Sequence, residues 1–235
     1  MKPLLVLLHG LGGNADIWEG CRRVYDGPIL GPDLAGHGLA EPLSEYRYEH
    51  YADDLLARYA KQLKRTPFRL CGHSLGGVVG ATLLGQAPGL RCERFVALGV
   101  KTEWHDDEIA GAHRVADKGA SSFDDAEQAK ARFLKVTGLA GIAGHTDRCS
   151  ERGVRERDGR WYLAIDPNAY RLRPADFGQC LANVRAPTIL ARGEHDAMAP
   201  HEHLARYAAS ISTIAAASHN AHVEKPDAVI ELLTD

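Results

Sequence analysis

A chain of 235 residues is long enough to bury a full core, and a formal charge of −3 with no block of like charges offers no field for gathering nucleic acid or an anionic membrane. Five cysteines (Cys21, Cys71, Cys92, Cys149, Cys180) share no C-x-x-C spacing, so neither a disulfide framework nor a zinc site is indicated, and a reducing cytoplasm is the expected compartment. Nothing approaches the length of a membrane span, and the apolar run from Lys2 to Leu8 stops at His9-Gly10, too early for a signal peptide.

That run instead predicts a first strand, Pro3 to Leu8, apolar throughout as a strand buried on both faces of a parallel sheet must be. It feeds His9-Gly10-Leu11-Gly12-Gly13-Asn14. This loop matches neither phosphate-cradling glycine pattern, and its other use is to bring the Leu11 N–H to an oxyanion. A helix is expected over Asp16 to Tyr25 and a strand over Pro28 to Asp33, ending in Asp33-Leu34-Ala35-Gly36-His37-Gly38, a tight bend with a structural role. Tyr46 to Lys64 carries Tyr51, Leu55, Leu56, Tyr59 and Leu63 at helical spacing. Phe68 to Cys71 then reads as a strand and Val78 to Leu84 as the apolar start of a helix, with Gly72-His73-Ser74-Leu75-Gly76-Gly77 between them. A serine on such a turn sits in a costly backbone region, and glycines two positions either side remove the collisions that a Cβ would cause. Its hydroxyl stands clear of the sheet, and the Leu75 amide points toward whatever carbonyl oxygen is attacked.

Glu93 to Gly99 is the next strand, and the alternation so far predicts an α/β fold with a mostly parallel, doubly wound sheet. From Lys101 the rhythm breaks. Two amphipathic helices are expected over Trp104 to Lys118 and Phe123 to Val136, then a hairpin about Asp158-Gly159 with arms 154–157 and 160–165. Residues 101–182 therefore read as an inserted cap, and 1–100 with 183–235 as the core domain. The strand pattern resumes at Pro187 to Arg192, ending in Gly193-Glu194-His195-Asp196. A helix over His201 to Ala209, a weak strand over Ile211 to Ala217 and a helix over Val223 to Leu233 follow, the last two separated by Ser218-His219-Asn220-Ala221-His222.

A serine hydroxyl needs a base, and the base needs an orienting group. The order Ser74, Asp196, His222 is the one this elbow type carries. On residues 9–13, 33–38, 72–77, 193–196 and 221–222 the chain resembles the α/β-hydrolase family over 1–100 and 183–235, and weakly over the cap. The resemblance implies Ser74 as nucleophile, His222 as base, Asp196 as orienter, and the amides of Leu11 and Leu75 as the oxyanion hole. It departs at Asn220-Ala221, where a glycine often precedes the histidine, and at Ala40, where a serine is common. Glu103 is the rival carboxylate and His219 the reserve base. His9 and His73 read as structural or as supports for the site's own residues, and His-x-His at 201 and 203 does not place both rings on one helix face, so neither a metal nor any cofactor is expected. In the cap, Trp104, Trp161 and Tyr162 line a substrate pocket or form the insert's own core.

The reaction expected is hydrolysis of a small-molecule carboxylic ester, lactone or thioester through an acyl-serine. The alternatives are a carbon–carbon bond hydrolase of the meta-cleavage type and a non-catalytic ligand-binding protein on the same fold. The expected partner is a small ester-like substrate, with no nucleic acid and no membrane. The sequence sets neither the substrate nor the oligomeric state.

Overall fold

The computed structural model of the chain describes residues 2–142, 147–208 and 210–234. Strand β1 (Leu4–Leu8), helix α1 (Glu19–Val24), β2 (Ile29–Leu30), α2 (Tyr48–Arg65), β3 (Phe68–His73), α3 (Leu75–Gln86) and β4 (Cys92–Leu98) form the first half. Then come α4 (Asp106–Lys118), β5 (Ser122–Phe123), α5 (Ala126–Val136), α6 (Asp147–Arg152), β6 (Val154–Arg157), β7 (Arg160–Leu163) and α7 (Phe177–Ala182). The chain closes with β8 (Thr188–Gly193), α8 (His201–Leu204), β9 (Ile211–Ile214), α9 (Ala221–Glu224) and α10 (Pro226–Thr234).

Six strands pair in the order β2-β1-β3-β4-β8-β9, each neighbouring pair parallel. In β1, Leu4, Val6 and Leu8 enter one buried cluster while Leu5 and Leu7 enter another; in β4, Phe95 and Ala97 part from Val96 and Leu98 in the same way. Side chains alternate across a strand, so the two clusters lie on opposite faces and the strands have no polar side, as their continuous apolar sequences require. Tyr51 and Leu55 of α2 and Val79 of α3 complete one cluster; Cys21 of α1 and Val229 and Leu233 of α10 complete the other. The chain thus forms the mostly parallel α/β architecture that its alternation implied.

Several elements differ from the sequence pattern for local reasons. The strand over Pro28 to Asp33 shrinks to two residues, because Pro28 and Pro32 at its ends have no N–H to donate. The first helix splits into a 3-10 turn, Ala15–Trp18, and α1. The closing helix begins earlier, at Ala221, and breaks at Lys225, since Pro226 cannot continue the ladder. The helix from His201 ends at Leu204, and its expected last residue, Ala209, lies outside the described residues.

Residues 99–187 leave the sheet after β4 and return at its neighbour β8. The hairpin forms as expected: Asp158 (φ 52°) and Gly159 (φ 71°) both take the positive φ of a type I′ turn, and Arg157 faces Arg160. Short β5 adds a third strand, with Phe123 opposite Trp161, so α5 starts only after Asp125, whose carboxylate accepts from the Gln128 amide at 2.8 Å. The segment is sewn to the 33–38 bend by Gly38 N–H to the Ala164 carbonyl (2.8 Å) and Asp166 N–H to the Gly36 carbonyl (2.7 Å). Arg152 adds charge-assisted bonds to Asp16 (3.0 Å) and Asp33 (2.7 Å). Phe133, Cys149 and Val154 join the cluster of Leu5, Leu7 and Trp18, so the segment's interior is continuous with the sheet's core.

Candidate active site

Ser74 stands between β3 and α3 at φ 50°, ψ −115°, a conformation that costs a residue with a Cβ and persists only where its surroundings hold it. They do so by close approach. A Cβ on Gly72 would lie 2.1 Å from the Gly76 carbonyl oxygen, and one on Gly76 would lie 2.3 Å from that of Leu8. The Ser74 N–H donates to the Leu98 carbonyl at the end of β4 (2.8 Å), and its own carbonyl accepts from Gly77 (2.9 Å). Leu75, the first residue of α3, presents an amide with no partner within its helix. Ser74, Leu75 and Leu11 line one cavity of about 100 Å³.

The carboxylate of Asp196 is buried in the loop after β8. It accepts from the amides of Met198 (2.9 Å) and Ala199 (3.3 Å) and from a histidine Nδ1 at 3.0 and 3.1 Å. That histidine is His219, not His222. Burial pushes the Asp196 pKa up, but the His219 bond, its charge and the two amides outweigh this and hold it below the usual carboxylate value. With Nδ1–H donated to a carboxylate, His219 keeps a lone pair on Nε2 to accept a proton.

The expected base, His222, is fully buried one helical turn further on. Its ring packs 4.4 Å from that of Trp18 and 4.3 Å from that of His73, and both its nitrogens lack a partner among the described residues. Burial, with the charge of His219 next, pushes its pKa down to about 3, so it stays neutral. The pairing of Asp196 with His222 is therefore corrected to His219. The reason is local: α9 starts at Ala221, so residue 219 remains in the loop facing β8, while residue 222 turns inward with Ala221 and Val223.

Three further residues hold this arrangement; His73 was expected to be structural or to support the site, and sequence reasoning did not give Glu224 or Arg192 a role. His73 Nε2–H donates to the His219 carbonyl at 2.9 Å. The Glu224 carboxylate accepts from the Ser218 N–H (3.0 Å) and from its hydroxyl, clamping the residue before His219. Arg192 donates to the carbonyls of Asp196 (3.1 Å) and Ala199 (2.7 Å), fixing the acid's loop. A signal existed for Glu224, a carboxylate one turn into the helix that follows a Ser-His pair, in the manner of a reversed cap. His9 is structural as expected, donating from Nδ1 to the Gly10 carbonyl (2.8 Å) and accepting the Leu34 N–H on Nε2 (2.9 Å).

The two tryptophans of the 99–187 segment part company. Trp104 lines the Ser74 cavity with Ile109, Ala112 and Tyr170, whereas Trp161 does not: it lies in β7 against the cluster that holds Phe133. Period-two alternation in the hairpin turns Trp161 toward that cluster, which corrects its assignment to the pocket. Glu103 is engaged elsewhere, with Arg206 and with His203 Nε2 (3.2 Å). The His195 ring, 68% exposed, lies 3.9 Å from the Glu194 carboxylate. The five cysteines carry free thiols, and no described helix is long and apolar enough to cross a membrane.

Comparison with known proteins identifies the fold. A model of the alpha/beta hydrolase family matches residues 5–232. Pimeloyl-[acyl-carrier protein] methyl ester esterase of Aeromonas salmonicida is 26% identical over 246 aligned positions, covering 98% of this chain and 94% of that protein. The uncharacterized protein Rv2715 of Mycobacterium tuberculosis is 34% identical over 94 positions, 37% of this chain, and the match spans only 26% of that relative's length. The solved structure of E-2-(acetamidomethylene)succinate hydrolase shares the fold, with a TM-score of 0.82 at 23% identity over 100% of this chain and 91% of that one. The chain belongs to the alpha/beta hydrolase family.

Proposed function

We propose that the protein hydrolyses small-molecule carboxylic esters through an acyl-Ser74 intermediate, with His219 as base and Asp196 as its orienter. The observation that carries this reading is the Asp196–His219 pair (3.0 and 3.1 Å), tied through the His219 carbonyl to His73, the residue before a serine held at φ 50°. As the Ser74 oxygen attacks the ester carbonyl, its proton passes to His219 Nε2, and Asp196 stabilises the imidazolium. The amides of Leu11 and Leu75 receive the charge that develops on the carbonyl oxygen. His219 then returns the proton to the leaving alcohol, the C–O bond breaks, and a water repeats the sequence on the acyl-enzyme. Lactones and thioesters fit the same steps: a lactone's leaving oxygen stays tethered to the acyl chain, and a thioester's leaving atom is sulfur. Residues 101–182 act as a cap, with Trp104 touching substrate in an apolar space that excludes water.

Acid quenching during turnover of p-nitrophenyl acetate, followed by peptide mass analysis, tests the reading. An acetyl group on Ser74, and a loss of about 10³-fold or more in kcat for Ser74→Ala, are expected. Acetylation elsewhere, or a smaller loss, would overturn it.

A further inference from the structure

The Ser74 cavity borders two other spaces. Through Tyr48, Leu172, Pro174 and Ala175 it meets a groove of about 990 Å³ that also carries Arg47, Arg171, Arg173, Glu49 and Asp176. Through Tyr170 it meets a second cavity of about 250 Å³, walled by Val115, Phe123, Val136, Leu163 and Ile165. Tyr170 is common to both linings. Helix α4 roofs the two spaces in succession: Ile109 and Ala112 face the first, and Val115, three residues further on the same side, faces the second. Tyr170 is mostly buried, and a Cβ built on Gly12 of the proposed oxyanion loop would lie 3.7 Å from its hydroxyl oxygen, so the side chain is braced against the site.

We infer that Tyr170 is the residue that determines acyl-chain length: its ring closes the small Ser74 cavity against the larger apolar cavity behind it, and so restricts the enzyme to short acyl groups. This rests on the ester reading of Ser74. A cavity of about 100 Å³ receives a short acyl group, and a longer chain must leave it by one of the two borders. The groove offers charged side chains whose hydration an alkyl chain would disturb, which suits it to a polar leaving group. The space behind Tyr170 is walled mainly by aliphatic and aromatic side chains, with Arg132 and Ser121 the polar members of its lining against the charged residues of the groove, so it is the one that would reward an alkyl tail, but the phenol ring stands in the way. Removing the ring joins the two cavities without touching Ser74, Asp196 or His219.

The test is kcat/KM for p-nitrophenyl acetate, butyrate and octanoate with the wild type, Tyr170→Ala, Tyr170→Leu, Tyr170→Phe and Tyr170→Ala/Val136→Trp, each confirmed folded by circular dichroism. The wild type is expected to favour the short esters. Tyr170→Ala and Tyr170→Leu should raise the octanoate-to-acetate ratio about 10-fold or more, Tyr170→Phe should keep the wild-type ratio, and the added tryptophan should cancel the gain by refilling the second cavity. Reading the ratio separates this role from any loosening of the Gly12 loop, which would slow all three esters alike. A wild type that takes octanoate as readily as acetate, or a ratio unmoved in both Tyr170→Ala and Tyr170→Leu, would overturn the inference while leaving the ester reading in place. A wild type that turns over none of the three would overturn both.

Discussion

At the scale of single residues, two histidines three positions apart have opposite fates, and hydrogen bonding separates them. His219 gives Nδ1–H to Asp196, while the His222 nitrogens find no hydrogen-bond partner among the described residues. Replacing His222 by leucine removes no polar contact, so His222→Leu should keep kcat/KM within about 10-fold of wild type and should not lower stability by more than about 1.5 kcal/mol. Asp196→Asn offers His219 an amide that can fix the wrong tautomer, and kcat for p-nitrophenyl acetate should fall by about 10⁴-fold. The corresponding amide at the rival carboxylate, Glu103→Gln, whose native partners are Arg206 and His203, should cost less than about 10-fold. The places of Ser74 and Asp196 were legible in the sequence because each is marked by its own strand-to-loop junction. The histidine that pairs with Asp196 was not, because the five residues from Ser218 to His222 contain two histidines, and which one faces Asp196 depends on where α9 starts.

At the scale of elements, the elbow is the part most fully written in the sequence. Strand, turn and helix each carry their own signal there, and the glycines are explained by contacts too close for any Cβ. Gly76→Ala would drive a methyl to within 2.3 Å of the Leu8 carbonyl oxygen, so it should prevent folding or lower stability by about 3 kcal/mol or more, read from chemical denaturation. The hairpin was equally legible through Asp158-Gly159, but its third strand was not, since two residues at β5 are too few to show a period. The tryptophans follow from this. Trp104→Ala should alter the ranking of esters by about 1–3 kcal/mol in kcat/KM, whereas Trp161→Ala should lower stability and leave the ranking unchanged. The opposite pattern would return Trp161 to the pocket.

At the scale of the whole molecule, four histidines are locked inside the protein in neutral form. Burial, as the leading cause, pushes His37 and His222 down to about 3 and lowers His9 and His73 as well. The unfolded chain takes up protons below about pH 6.5 that the folded chain refuses until about pH 3, so stability is full above that upper value and falls as the pH drops. His37 and His222 should each cost about 2 kcal/mol at pH 5. Asp196, with its lowered pKa, adds a loss in the same direction at lower pH. Denaturant midpoints should therefore fall clearly between pH 7 and pH 5, where carboxylates alone would change little, and the fall should be shallower in His222→Leu. A midpoint independent of pH over that range would mean these rings are hydrated. The parallel sheet itself was legible from its apolar runs, whereas the continuity of the 99–187 segment with the sheet's core rests on contacts between residues more than a hundred positions apart, such as Arg152 with Asp16 and Asp33.

The central claim is that Ser74 is activated by His219. It is tested most directly by measuring, side by side, the rate at which a fluorophosphonate labels Ser74 in the wild type, His219→Gln and His222→Leu. Labelling should proceed at close to the wild-type rate in His222→Leu and fall by about 10³-fold or more in folded His219→Gln. Wild-type labelling in His219→Gln, with loss in His222→Leu, would contradict the account and return the base to His222.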